Sequence, residues 1–81
     1  MSVALTPGVL IAEMSRDDFE RGLWGTFVGL NPYGLATVRC AGFFEHGTFH
    51  RWHDGRPHTY FAKLFDLREL TAAERGQVAE P

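Results

Sequence analysis

The chain has 81 residues, of which 44% are hydrophobic, 14% aromatic and 22% charged, and its formal net charge is −2. This length predicts a single domain over residues 1–81, and so apolar a composition excludes a disordered chain. The weak negative charge argues against a strong non-specific nucleic-acid binder, the single Cys40 excludes an internal disulfide and favours the cytoplasm, and no apolar run is long enough to span a membrane.

The N-terminal part is predicted to form a strand followed by a helix. The apolar run Gly8–Met14 predicts the first strand. Ser15 is a typical helix N-cap, and acidic residues follow it where the helix dipole favours negative charge. These acidic residues are Asp17, Asp18 and Glu20. Phe19 and Leu23 are four residues apart and would share one face, so we expect a short helix after Ser15 that packs on a sheet.

From Trp24 to Leu67 the pattern changes to strands separated by turns. The turn signals are Asn31-Pro32-Tyr33-Gly34, His46-Gly47 and Asp54-Gly55, the last being the strongest short hairpin signal. Thr71 is a candidate cap for a final short helix, and residues 76–81 are predicted to fray. The predicted fold class is therefore α+β: a small antiparallel β-sheet meander of four to five strands with an N-terminal helix packed on one face.

Alternation along the strands assigns the side chains to two faces of the sheet. The expected cross-strand pairs are Phe27–Val38, Phe44–Phe49 and Phe49–Tyr60. The expected core face carries Phe27, Ala36, Val38, Cys40, Phe44, Phe49, Tyr60, Ala62 and Leu64. The opposite face carries Trp24, Val28, Arg39, Phe43, His50, Trp52, Phe61, Lys63 and Phe65. This second face has too many large rings to be left in water, so either the chain termini cover it or it is an interface.

The candidate catalytic and metal-binding residues form no recognisable signature. All four histidines lie in one stretch, but their spacing matches no metal motif, and we expect polar hairpin residues. Cys40 lies in the middle of an apolar strand, which is typical of a small buried side chain rather than a nucleophile. Nothing places Asp17 and Glu20 together in a cleft. The sequence therefore predicts no enzyme, no metal and no cofactor.

The remaining features favour a protein-binding module. In size, acidity, single-domain layout and lack of motifs, the chain resembles small phage-encoded inhibitors, including anti-CRISPR proteins. This resemblance implies a stoichiometric inhibitor that blocks a nucleic-acid-binding bacterial complex by occlusion. From the residues themselves, the aromatic face and the acidic helix start are the predicted surfaces for a larger protein partner, and a homodimer through the aromatic face stays open. The predicted partner-binding residues are Asp17, Asp18, Glu20, Trp24, Arg39, Phe43, Trp52 and Phe61.

A second hypothesis is a small single-stranded nucleic-acid-binding β domain. Aromatic rings would stack on bases, and basic side chains between them would contact phosphates. The basic residues in question are Arg39, His50, Arg51, Arg56 and Lys63. The net charge of −2 counts against this hypothesis, and the salt dependence of oligonucleotide affinity would decide it.

Overall fold

A computed structural model describes residues 5–15, 20–53 and 58–79. A 3₁₀ turn, Leu64–Asp66, joins the last two strands. The regular elements are β1 (Leu10–Met14), β2 (Arg21–Leu30), β3 (Ala36–Glu45), β4 (Thr48–Arg51), β5 (His58–Ala62), β6 (Leu67–Glu69) and α1 (Ala72–Val78). All strand pairs are antiparallel, in the order β4-β3-β2-β1-β6, with β5 also paired to β3. The described part of the chain is therefore mostly one six-stranded sheet with a short C-terminal helix.

The predicted fold class, an α+β meander of four to five strands with an N-terminal helix packed on one face, is wrong: the described sheet has six strands, and no helix of the described residues precedes it. Residues Arg21–Gly25 belong to β2, where Gly22 lies opposite Phe44 and Leu23 opposite Phe43. The Phe44 ring lies close to Gly22. Glycine would weaken a helix, but in β2 its missing side chain leaves room for this ring. Tertiary pairing has overridden the capping signal at Ser15, and Asp17, Asp18 and Phe19 lie outside the described residues.

The predicted hairpin between β4 and β5 is also wrong. Both strands pair with the same edge of β3: β4 with Gly42–Glu45 and β5 with Ala36–Cys40. Tyr60 therefore lies opposite Val38 and not opposite Phe49. The two strands run in one direction along β3, and Trp52, directly after β4, donates its N–H to the Ala41 carbonyl. The Asp54-Gly55 pair between the two strands lies outside the described residues.

The other two predicted cross-strand pairs are confirmed, Phe27 with Val38 and Phe44 with Phe49. The two turns that join these strands are also confirmed. Asn31 Oδ1 accepts hydrogen bonds from the backbone N–H groups of Tyr33 and Leu35. His46 and Gly47 have φ values of 49° and 81°, as the two central residues of a type I′ hairpin turn require.

A β-bulge at Ala41 reverses the alternation of side chains along β3. Gly25 pairs with Cys40 and the preceding Trp24 pairs with Gly42, so Ala41 has no opposite residue in β2. Side chains before the bulge, such as Val38, therefore point to one face of the sheet, and Phe44 after the bulge points to the other.

The reversal creates two hydrophobic clusters on opposite faces. On the first, which we call face A, the buried residues are Ile11, Phe27, Ala36, Val38, Ala62 and Leu67. On the second, face B, they are Ala12, Trp24, Phe44, Phe49, Leu70 and Val78. The predicted single core face is thus divided between two faces. Trp24, expected opposite the core, lies inside the second cluster because the bulge brings Phe44 to its side.

The sheet is strongly curled. In a flat sheet, β5 and β6 would be about 19 Å apart, four strand spacings. Only residues 63–66 connect them, and Leu64–Asp66 form a compact 3₁₀ turn. Ala62 and Leu67, at the two ends of this connection, pack in the same cluster on face A. Face A is therefore the concave side, and its first cluster fills the curl.

The C-terminal helix is confirmed where the sequence predicted it. Thr71 Oγ1 accepts a hydrogen bond from Glu74 N–H, and the Glu74 carboxylate accepts one from Thr71 N–H, which forms a capping box. The helix continues through Gly76 to Val78, which the sequence assigned to a frayed end, and Val78 is buried on face B. In the described part of the chain, no helix has the length and apolarity that a membrane span requires.

Candidate protein-binding surface

Helix α1 covers only part of face B. Its Val78 and the preceding Leu70 pack on the second cluster, beside β4. The part of face B near the β2–β3 turn is not covered by α1. Strand pairing places Gly29, Thr37 and Phe61 in one row there, and Arg39 beside Thr59 in the next.

Large apolar side chains are exposed around this same end of the molecule. Val28, unpaired at a second bulge in β2, lies beside the row that contains Phe61. Leu30 ends β2 opposite Ala36, Tyr33 lies in the following turn, and Phe65 lies in the 3₁₀ turn after β5. We call these five residues the hairpin-end surface: Val28, Leu30, Tyr33, Phe61 and Phe65. Their exposed fractions range from 50% to 88%.

The turn that follows Leu30 and carries Tyr33 has a well-fixed backbone. The Asn31 side chain holds the turn through hydrogen bonds of 2.9 Å to Tyr33 N–H and 3.0 Å to Leu35 N–H. Gly34 has a φ of 80°, which suits glycine, and its N–H donates to the Asn31 carbonyl. Apolar groups on a fixed backbone lose little conformational entropy on binding, which favours their use as contacts.

The structure brings two of the predicted partner-binding residues together here. Arg39 and Phe61 lie in adjacent rows on the uncovered part of face B, and both are exposed. Trp24 is buried in the second cluster, where it cannot reach a partner. Glu20 is exposed beside His46, 2.7 Å from its Nδ1, at the other end of β2. Asp17 and Asp18 lie outside the described residues.

Phe43 and Trp52, also predicted to bind a partner, lie together in a half-buried ring cluster on the strands. Phe43 stacks on His50 with ring centroids 4.7 Å apart, and the Trp52 ring lies 5.5 Å from Phe43. His58 meets Trp52 edge-on at 6.1 Å. Because these rings cover one another, they expose less surface than the sequence suggested.

Two titratable side chains near these rings, Cys40 and Tyr60, have raised pKa values. Burial raises the pKa of the Cys40 thiol, whose Sγ lies 3.3 Å from the Gly42 carbonyl oxygen, so Cys40 is a neutral thiol and not a reactive thiolate. Burial, with a smaller effect of nearby Glu13, also raises the pKa of Tyr60. Among the described residues, no group of three or more His, Cys, Asp or Glu side chains could hold a metal ion.

Of the five residues of the hairpin-end surface, sequence reasoning selected only Phe61 as a contact and missed Val28, Leu30, Tyr33 and Phe65. It assigned Val28 and Phe65 to the face opposite the expected core but did not select them. The available signal was local. Leu30 and Tyr33 are large apolar residues that directly flank or occupy a Pro-containing turn, where few neighbours can bury them.

An ion pair anchors α1 to the sheet. Arg68 donates two parallel hydrogen bonds to Glu74, of 2.7 and 2.8 Å, and lies over the Phe44 ring. The pairing with Arg68, and after it the Thr71 hydrogen bonds, hold the pKa of Glu74 at about 2, below its usual 4.5.

We therefore expect Glu74→Gln to lower the free energy of unfolding by about 1–2 kcal/mol at pH 7, discounted for partial exposure. Glutamine keeps the capping box but loses the charge. A depressed carboxyl pKa stabilises the fold above pH 4.5, and this contribution is lost as the pH falls towards 2. Urea unfolding of both proteins between pH 7 and pH 2 should show the difference shrinking below pH 4.5. A difference that does not change with pH would refute the ion-pair explanation.

The chain matches no protein-family model, no curated protein and no solved structure.

Proposed function

We propose that this domain is a non-catalytic module that binds a larger protein through the hairpin-end surface. The observation that carries the proposal is the exposure of five large apolar side chains at one end of a small domain. Single exposed apolar groups are ordinary, whereas several large ones at one end of a small domain are typical of an interaction site. Arg39, next to Phe61, adds a directional donor of the kind that interfaces favour.

The more specific role is what the resemblance to small phage-encoded inhibitors implies. A weakly acidic, single-domain protein would act by covering a functional surface of its partner, as a phage-encoded inhibitor of the anti-CRISPR type does. A partner that binds nucleic acid would carry a basic surface, to which a net charge of −2 is complementary. The single buried, unpaired Cys40 supports a cytoplasmic setting, as predicted.

The nucleic-acid alternative gains less support from the positions of the basic side chains. The Arg51 guanidinium donates to the Val78 carbonyl and lies 5.1 Å from the Trp24 ring centroid, so it is engaged within the protein. Lys63 lies over Phe65. Arg39 is the described basic residue in the row next to exposed Phe61. One such residue does not make the continuous basic track that a nucleic-acid strand needs.

A comparative pull-down from native host lysate tests the proposal. We expect V28T,L30Q to capture its partner at least 10-fold more weakly than the parent protein, because two exposed anchors are lost. Both positions are exposed, so the fold should be unaffected. Thr48→Ser is the matched control: Thr48 is exposed in β4 beside the opposite end of β2, the change leaves the net charge unaltered, and the variant should bind normally. The captured protein is identified by mass spectrometry, and its complex with purified domain is sized.

Two results would contradict the proposal. Equal capture by V28T,L30Q and the parent protein would exclude the hairpin-end surface. Tight binding of a labelled single-stranded oligonucleotide, with affinity falling steeply as salt rises, would favour the nucleic-acid alternative.

A further inference from the structure

The outer edge formed by β4 and β5 is protected along one half only. Beside β4, the side-chain amide of Gln77 takes the place of a neighbouring strand. Its Oε1 accepts a hydrogen bond of 3.0 Å from Phe49 N–H, and its Nε2 donates one of 2.8 Å to the Gly47 carbonyl. Beside β5, no strand of the described residues pairs on the side away from β3. The same edge is therefore capped at β4 and open at β5.

Strand β5 also lacks the sequence features that keep an edge strand from pairing with a strand of another molecule. Natural edge strands carry charged residues, prolines or bulges that block another strand. The segment His58–Ala62 contains no proline and no Asp, Glu, Lys or Arg. Its pairing with β3 is regular over all five residues, without a bulge. An open, regular, uncharged edge is suited to accept another extended strand.

We propose that β5 pairs antiparallel with β5 of a second copy of this chain, around a two-fold axis at Tyr60. This axis is the one that aligns all five residues of β5 with all five of its counterpart. Tyr60 then lies opposite Tyr60, and Thr59 lies opposite Phe61 of the second copy, twice by symmetry. The dimer contact goes beyond the proposed function, which concerns a different protein partner.

The side chains of β5 fit such a pairing. Phe61 is 60% exposed, and it would pack on the β-branched Thr59 of the second copy. Both residues lie on face B. The row formed by Thr37 and Phe61 would continue through Thr59 of the second copy, and the row formed by Arg39 and Thr59 would continue through its Phe61. No like charges meet within the paired strands. Both the main chain and the side chains of this edge are thus self-complementary.

Sedimentation velocity and light scattering on the purified full chain test the dimer. The parent protein should show twice the chain mass of 9.1 kDa at micromolar concentration. T59E,F61E places glutamate opposite glutamate at both symmetric pairs and should raise the dissociation constant at least 10-fold. T59E,F61K changes the same positions but places glutamate opposite lysine, and it should restore dimerisation. In both variants, glutamate at position 59 lies beside Arg39 of its own chain, so this substitution affects the two folds alike, and circular dichroism checks the effect of the change at position 61.

Three results would overturn the dimer. These are a monomeric parent protein at millimolar concentration, equal dimerisation of the two double variants, and equal loss of dimerisation in both with unchanged circular dichroism. The readout does not depend on V28T,L30Q or on any lysate partner. Failure of the dimer is therefore distinguishable from failure of the proposed function.

Discussion

Trp24→Ala should lower the free energy of unfolding by about 3–5 kcal/mol, the range for deleting a large buried ring. Trp24 is 1% exposed and meets Phe49 edge-on, with ring centroids 6.4 Å apart. Its Nε1–H donates a 2.8 Å hydrogen bond to the His50 carbonyl across β3. A domain of this size has little stability to spare, so urea unfolding should show the variant largely unfolded at 37 °C.

Trp24→Phe is the matched control. It keeps an aromatic ring in the second cluster but loses the hydrogen bond to His50, so the loss of stability should be clearly smaller. One result for Trp24→Ala would instead support the sequence-based prediction that Trp24 binds a partner. If Trp24→Ala kept the stability of the parent protein and lost only partner binding, Trp24 would be a contact residue and not part of the core.

Gly42→Ala should cost about 3 kcal/mol or more, because a β-carbon at this position has no space. It would overlap the carbonyl oxygen of His50 on β4 and lie 2.8 Å from Nε1 of Trp24. The indole of Trp24 crosses β3 at Gly42 to reach His50, and only a residue without a side chain lets it pass. The backbone must therefore shift, and the midpoint of urea unfolding should fall accordingly.

Gly76→Ala is the control for this substitution, with the opposite expected sign. Gly76 lies in α1, and a β-carbon there would meet no atom within 4 Å. Alanine at an exposed helix position is better than glycine by about 0.5–1 kcal/mol, so this variant should be more stable than the parent protein. If both alanine variants changed stability in the same direction, the steric explanation for Gly42 would be wrong.

Local signals predicted the parts of this fold whose causes are local. The Asn31–Gly34 turn and the His46-Gly47 turn contain their own stabilising residues, and each places the adjacent strands side by side. Thr71 and Glu74 are three residues apart, so the capping box could be read from spacing alone. These features form wherever the residues lie next to one another in the chain.

The errors concern features that depend on distant residues. Ser15 and the acidic residues after it are typical of a helix start, yet Arg21–Leu30 gains more by pairing with both β1 and β3. Asp54-Gly55 suggested a hairpin, but β5 instead follows β4 along β3. The bulge at Ala41 has no local mark in the sequence, and it decides which face carries Trp24.

The candidate surface likewise combines a feature that the sequence predicted with features that depend on distant residues. The excess of large rings was evident from composition, and it correctly indicated that one core face would not hold them all. Curling of the sheet and the bulge at Ala41 then distributed them: Trp24 into a core, Phe43 and Trp52 against each other, and Phe61 into solvent.

By itself, the amino-acid sequence determined the turns, the Phe44–Phe49 pair beside the His46-Gly47 turn, the C-terminal cap and the presence of too many rings for one core. Only the tertiary structure decided the faces, the open β5 edge and the exposed end of the sheet. The physical reason is the two-residue period of a strand: a single bulge exchanges every side chain that follows between the two faces of the sheet.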